Sequence, residues 1–560
     1  MTDPRPPDPG FVSGPPFISA PPPIPPSVSP AGWVAGPPVS GRGTRSRFAV
    51  AGVVTALIVA LTGAGVIQLL APEPPAVRPL ATPVASGPTF DPSRTADPSA
   101  LPMLEPTACR FQVSRRRAVT CDDLVVAQDR ADPSAGVIRI HVAVFASAVP
   151  DPEPDPVVYL VGGPGATALQ DLEDFTEYPF LADRDLIVFD QRGTGHSVPS
   201  LDCPEEDSVD PLALGSATAA LDAIGTCRER LVSAGVDLAA YDSAAIAADL
   251  TDLRKALGIA EWNLYGISYG TRVALTAMRD QPAGIRSVIL DSVYPPQVDL
   301  YGQRASDAER AFDVLFAACS GDASCERRHP DLGAAFSAVA SRFEQVPVTV
   351  TSERDGHQYR VDGETLVDFL FDEMYDTAAI PGLPAVIDDI DAGQYAELAQ
   401  YLDDRAPPDT SSGPDDIADG MHYSVQCSEE MPFTSADAYA SASASVPAIV
   451  RDAFDPAFQQ RVCGVWDVPA LGPIENQPVT SDIPTLILSG EDDPITPPAW
   501  AAEASATLSH SNVFEFPGAG HGILPDFGCA ASMTAAFLDA PTVVPDASCM
   551  DGLRQAPFVP

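Results

Sequence analysis

Three residues far apart in the chain have the types and the order needed for acyl transfer from an activated hydroxyl: Ser268, Asp493 and His521. Ser268 is the centre of Gly266-Ile267-Ser268-Tyr269-Gly270, between an apolar run at 262–266 and a helix-compatible run at 271–279. A G-x-S-x-G turn from strand to helix forces its serine into strained backbone geometry. The flanking glycines let the strand and the helix pack closely. A serine hydroxyl needs a base to take its proton and an acid to orient that base. His521, in Pro-Gly-Ala-Gly-His-Gly after an apolar run at 513–516, has the place of the general base. Asp493, after the run at 485–489, would hold its tautomer and stabilise the imidazolium; Asp492 beside it and Asp291 further off are the alternatives. The other histidines are worse placed. His141 lies within a strand, His196 precedes the nucleophile, His510 precedes the last strand, and His329, His357 and His422 fall in a helix-rich insertion. The oxyanion needs backbone donors. Tyr269, which follows the nucleophile, and Gly163, in Gly162-Gly163-Pro164-Gly165, are the expected pair.

The elements that must position these groups alternate between strand and helix. Residues 136–146 put Ile138, Ile140, Val142 and Val144 on one side, the pattern of a half-buried strand. Residues 157–161 and 186–189 are short continuous apolar runs, as in central parallel strands. A helix capped by Ser243, with Ile246, Leu250, Leu253 and Leu257 at helical spacing, precedes the serine turn, and residues 287–290 follow as a strand. Such alternation predicts a doubly wound, mostly parallel sheet with helices on both faces, whose carboxyl edge collects the reacting groups. With Ser, Asp and His in that chain order, the fold class is that of an α/β-hydrolase. The rhythm stops at Asp291-Ser292-Val293-Tyr294-Pro295-Pro296 and resumes near residue 483. Between them, apolar-faced helices at 311–318 and 365–374 predict a folded cap. The core is thus expected in two parts, 106–294 and 483–560, around a cap insertion at 295–482.

Before the core, residues 1–47 form a Pro-rich tail that cannot build a core. Residues 48–71 run for 24 positions without a charge. As a helix they would reach roughly 36 Å, enough for a hydrocarbon core of about 30 Å. The span is longer than the apolar region of a cleaved signal peptide. Arg42, Arg45 and Arg47 precede it, so the expectation is a single-pass anchor of the cell membrane with a cytoplasmic N-terminus and an exported remainder. Residues 72–105 are a Pro/Ala-rich linker.

All ten cysteines follow residue 108, which agrees with export to an oxidising compartment. In sequence order they fall into near neighbours: Cys109 with Cys121, Cys203 with Cys227, Cys319 with Cys325, Cys427 with Cys463 and Cys529 with Cys549. Sequential pairing is the simplest guess among many. No metal-ligand spacing is present, and neither metal nor cofactor is expected. The net charge of −45, from 77 acidic against 32 basic residues, repels phosphate backbones and excludes nucleic acid as a partner. A monomer is expected.

Five ordered motifs, Gly-Gly-Pro-Gly, Asp190-Gln-Arg-Gly-Thr-Gly-His-Ser197, Gly-Ile-Ser-Tyr-Gly-Thr, Asp493-Pro-Ile-Thr-Pro and Gly-Ala-Gly-His-Gly, resemble those of the proline iminopeptidase and tripeptidyl aminopeptidase family of serine exopeptidases. The resemblance spans about residues 106–550. Its iminopeptidase branch carries a histidine before Gly-Gly-Pro-Gly where this chain has Val161, which favours the tripeptidyl branch. The resemblance implies peptide substrates with a free N-terminus, and a cap that limits their length and holds their ammonium with carboxylates. Glu429 occupies the family's acidic place after Cys427, with Glu430 adjacent, and both are the expected amine ligands. The rival readings are an esterase on the same three residues and a non-catalytic binding protein on the same scaffold.

Overall fold

Strands built from short Val, Ile and Leu runs bury both of their faces. β4 (Val157–Leu160) turns Val158 and Leu160 to one hydrophobic cluster and Val157 and Tyr159 to another. Each large apolar side chain buried this way contributes about 1.5–3 kcal/mol. The computed structural model describes residues 100–559 except 113–116, 170–177, 208, 210–215, 353 and 406–416. The tail, the predicted anchor at 48–71 and most of the linker lie outside the described residues. Among the described residues no helix is long and apolar enough to cross a membrane.

The main sheet adds β1 (Met103–Thr107), β2 (Val119–Ala127), β3 (Val137–Phe145), β5 (Leu186–Phe189), β6 (Trp262–Ile267), β7 (Ile285–Asp291), β10 (Thr485–Gly490) and β11 (Ser511–Phe516). Their order is β1-β2-β3-β5-β4-β6-β7-β10-β11. From β5 to β11 all neighbours are parallel; β1, β2 and β3 extend the sheet antiparallel at one edge. On one face lie α1 (Ser216–Ser233), α2 (Ser243–Ala256) and α3 (Tyr269–Asp280). The helix Gly528–Asp539 covers the other.

Two local expectations change, and two strands are new. β3 is buried on both faces, not half-buried, because its polar residues have partners: His141 Nδ1 lies 3.0 Å from Asp123 Oδ1, and Arg139 pairs with Glu105 at 2.5 Å. β1 and β2 carry no clear strand pattern; Pro106 is tolerated because β1 is an edge strand, and the Asp122-Asp123 pair interrupts the apolar run of β2. The cap of α2 is Asp242, whose side chain accepts from Ala245 N at 2.6 Å, while the hydroxyl of Ser243 is engaged elsewhere.

The 295–482 insertion opens with α4 (Leu300–Gly321) and holds further helices plus an antiparallel hairpin of β8 (Val348–Thr351) and β9 (Gln358–Val361). Phe312, Leu315, Phe336, Val339, Leu366 and Leu370 belong to a core of its own. Its later part behaves differently. Ala418, Met421, Val425, Cys427 and Trp466 pack into the cluster that lines the sheet. The five cysteine pairs are bonded in sequence order. Cys427–Cys463 thereby ties a turn of this segment to the helix Ala457–Trp466.

Candidate active site

Ser268 joins β6 to α3 with φ 56° and ψ −128°, a conformation that costs a non-glycine residue about 1–3 kcal/mol. Surrounding contacts enforce it. Ser268 N donates to Asp291 O at 3.0 Å, and its carbonyl accepts from Thr271 N at 2.9 Å. The glycines of the turn are required by space: a Cβ on Gly270 would stand 2.0 Å from Leu160 O, and one on Gly162 would stand 2.9 Å from Ser268 Cβ. The loop after β4 thus presses against the serine itself. Gly163 lines the same cavity as Ser268, and Tyr269 opens α3, where the first amides of a helix have no partner within it. Gly163 thus shares the cavity lining with the serine, and Tyr269 is the next residue in the chain.

Asp493 follows β10 and is fully buried. Its Oδ1 accepts from Ile495 N at 3.0 Å and Thr496 N at 2.8 Å, and its Oδ2 from Thr496 Oγ1 at 2.6 Å. The remaining contact of Oδ2 is His521 Nδ1 at 2.9 Å. Burial pushes Asp493 upward, but the His521 imidazole and the Thr496 hydrogen bonds outweigh it and hold the carboxyl below its usual range. The same pairing acts on His521. Burial disfavours its cation, while Asp493, with a further contribution from Asp291, raises its pKa above the ordinary value. Among the described residues, neither Ser268 Oγ nor His521 Nε2 has a hydrogen-bond partner. Such contacts commonly tighten only when substrate binds.

The loop that carries His521 is fastened by Asp291, weighed in the sequence as an alternative to Asp493, and by groups the sequence did not single out. Asp291, at the end of β7, accepts from Ile523 N at 2.8 Å and Leu524 N at 2.9 Å. Burial pushes Asp291 up to about 6. Ser292 Oγ receives Gly522 N at 2.9 Å, and His521 N donates to Tyr375 O of the cap at 2.9 Å. Arg310 on α4 reaches down to Glu491 O at 2.6 Å and to Asp493 O, so the cap also holds the acid loop. Thr496 touches both Asp493 and His521, the latter at 3.2 Å. Asp493 opens an Asx-type turn, its carboxylate accepting from the amide two residues on, and that turn brings the Thr496 hydroxyl onto it. The Asp190-Gln191-Arg192 motif is architectural. Gln191 Nε2 donates to Val161 O at 3.1 Å beside the glycine loop, and Arg192 forms a fork with Asp249 at 2.7 Å. Asp492 is buried without a partner for either oxygen among the described residues, and burial lifts it to about 7.

Glu429 and Glu430 do not stand where amine ligands were expected. They end a single π-type turn, Gln426–Glu430, whose first residue lines the cavity while the two glutamates pack against α2 and α3. Glu429 accepts from Ser243 N at 2.6 Å, Ser243 Oγ at 2.7 Å and Arg272 Nε at 3.0 Å. Glu430 lies 2.5 Å from Arg272 Nη1. Both are sealed from water, and burial lifts Glu430 to about 7. Sharing one guanidinium, they knot the cap segment to the nucleophile helix. The Cys427–Cys463 bond and the apolar neighbours Met421, Val425 and Met431 draw this turn into the sheet-side core.

The cavity over Ser268 holds about 400 Å³. Its acidic lining residues are Asp368 and Asp455, both from the cap, and Gln426 contributes a buried Oε1 with no partner among the described residues. His422, which the sequence left aside, also lines it. Its Nδ1 is 3.2 Å from Pro164 O, and burial drops it to about 4, so it is neutral at physiological pH.

The family profile described as alpha/beta hydrolase fold matches residues 155–316, and the one described as TAP-like protein matches 451–549. The chain is an α/β-hydrolase. It is 28% identical over 255 residues to the serine protease Hip1 of Mycobacterium tuberculosis, a match covering 42% of this chain and 48% of that protein. The hydrolase therefore aligns with about half the length of that relative. It is 27% identical over 224 residues to a tripeptidyl aminopeptidase of Streptomyces lividans, covering 37% and 41%. Carboxylesterase B of Mycobacterium tuberculosis is 24% identical over 456 residues, covering 75% of this chain and 85% of its own. The hydrolase thus has serine peptidases and an esterase among its relatives.

Proposed function

We propose that this hydrolase is a serine aminopeptidase, held at the outer side of the cell membrane by residues 48–71, that releases short peptides or single residues from free N-termini. The observation that carries the chemistry is the Asp493–His521 contact of 2.9 Å together with Ser268, strained at φ 56° and lining a capped cavity. In the acylation step Ser268 Oγ attacks the scissile carbonyl while His521 Nε2 takes its proton. The amides of Gly163 and Tyr269 meet the oxyanion, and the protonated His521 returns the proton to the leaving amine. Water then repeats the sequence to release the acyl group. Asp493 keeps Nδ1 protonated and offsets the imidazolium charge. The ammonium of the substrate is met in this reading by Asp368 and Asp455, with Gln426 Oε1 as a further acceptor. The five disulfides support an extracytoplasmic location.

Carboxylesterase B, which matches along most of both chains, supports a second reading as an esterase. Paired peptides, one with a free and one with an acetylated N-terminus, separate the two when the products are weighed by mass spectrometry with Ser268→Ala as control. Cleavage of the free form alone is expected, and the fragment mass counts the residues removed. Equal cleavage of both forms, or hydrolysis of simple esters only, would replace the aminopeptidase reading with the esterase.

A further inference from the structure

The cavity that holds Ser268 also holds a cation. Arg304 lies on α4 one turn after Leu300 and Tyr301, and all three line the cavity, as their spacing on one helix face requires. Its guanidinium rests on two tilted aromatic rings, 5.1 Å from the centroid of Phe371 and 5.2 Å from that of Phe454. The two rings are themselves 4.9 Å apart and both are buried, so they form a fixed seat. Stacking fixes the plane of a guanidinium while leaving its N–H groups to find acceptors at its edge. Here they find none: no hydrogen bond or ion pair joins Arg304 to any described residue, and its Nε is buried without a partner. Arg304 is half-buried, and the contrast is with the fully buried arginines Arg192, Arg184 and Arg272, each of which is paired with a carboxylate in a chain of 77 acidic and 32 basic residues. A seated, unpaired guanidinium in a reaction cavity is the donor set for a planar carboxylate.

We propose that Arg304 is a specificity-determining residue that binds a carboxylate of the substrate in the catalytic cavity. The carboxylate belongs either to an Asp or Glu side chain of the substrate or to the C-terminus of a short peptide. With Asp368 and Asp455 on the same lining, the cavity offers complementary charges to a zwitterionic chain. The peptide identity of the ligand rests on the aminopeptidase reading; the carboxylate subsite itself does not.

The test compares the full chain with its Arg304→Gln and Arg304→Lys variants. Matched free-amine peptides carry Glu or Gln at each of the first four positions, and each is made as the C-terminal acid and the C-terminal amide. A charge-assisted bidentate contact is expected to favour one carboxylate-bearing class by roughly tenfold or more in kcat/KM. The preferred class identifies the source of the carboxylate. The ratio should fall to near one in Arg304→Gln and recover in part in Arg304→Lys, with melting temperature as the folding control. A second readout needs no peptidase activity: the rate at which a fluorophosphonate labels Ser268, with acetylglutamate or acetylglutamine as competitor. Protection by acetylglutamate alone, lost in Arg304→Gln, supports the subsite even if no peptide is cut, in which case only the aminopeptidase reading falls. Equal rates for every acid and neutral pair with no protection, or a preference that survives in Arg304→Gln, overturns the proposal.

Discussion

Asp493 with His521 and Glu429 with Arg272 are both carboxylate–base pairs sealed inside this hydrolase, at 2.9 Å and 3.0 Å, and they use similar chemistry to opposite ends. Asp493 spends its other lone pairs on the loop that carries it, so His521 is oriented through Nδ1 while Nε2 stays uncommitted. Glu429 spends its oxygens across elements, on the start of α2 and on α3, so nothing is left over for a ligand. The same residue types make a reacting group where one valence remains open beside a cavity, and a structural fastener where all are closed. Burial alone does not separate them. Glu429, Glu430, Asp291 and Asp493 are all nearly inaccessible.

The largest expected effect is on the open pair's client. Ser268→Ala should lower kcat by a factor on the order of 10⁶ and abolish fluorophosphonate labelling, without changing the melting temperature downward. Asp493→Asn should cost roughly 10⁴-fold in kcat by leaving the wrong imidazole tautomer. It also sharpens the pH profile. His521 acts only as the neutral base, and Asp493 raises its pKa, so kcat/KM should rise with pH through a midpoint above about 6.5. In Asp493→Asn that midpoint should move down.

The closed pair should respond in stability. Glu429→Ala leaves Arg272 facing Glu430 alone and opens two Ser243 donors, and should cost about 3–5 kcal/mol in urea unfolding. KM for free-amine peptides should stay within about twofold of the parent in the fraction that remains folded. A large KM increase at unchanged stability would return Glu429 to the amine site and dissolve the contrast. The smallest effect concerns Glu430, held near 7 in the folded chain by burial. A carboxyl raised above its unfolded pKa of about 4.3 favours folding below that value. This contribution is lost as pH rises through about 7, so melting temperature should decline across this window. Glu430→Gln should flatten the decline.

Much of this was legible in the chain. Central strands are continuous apolar runs because both faces are covered, so β4, β5, β6, β7 and β10 announce themselves locally. The serine turn is equally local: Gly266, Gly162 and Gly270 are where no Cβ fits, and space of that kind leaves a mark on composition. Asp493 and His521 could be named because strand ends fix where loops emerge. Close cysteine spacing pointed to the pairs that are bonded. β1 and β2 were missed because edge position and buried ion pairs relax the apolar pattern that marks a strand.

Tertiary structure decided the rest. Whether a glutamate meets substrate or an arginine depends on which helix lies opposite, and Arg272 lies 157 residues from Glu429 in the chain. The acids that do line the cavity, Asp368 and Asp455, carry no local sign that distinguishes them from the many solvated carboxylates of the insertion. Asp291 looked like a displaced catalytic acid and became the anchor of the His521 loop, because β7 delivers it beneath residues 523 and 524. Arg304 is one basic residue on one helix until Phe371 and Phe454 seat it over the reaction cavity. Local chemistry and chain order are written in the sequence; which valences are satisfied is a property of long-range neighbours, and only the folded chain has them.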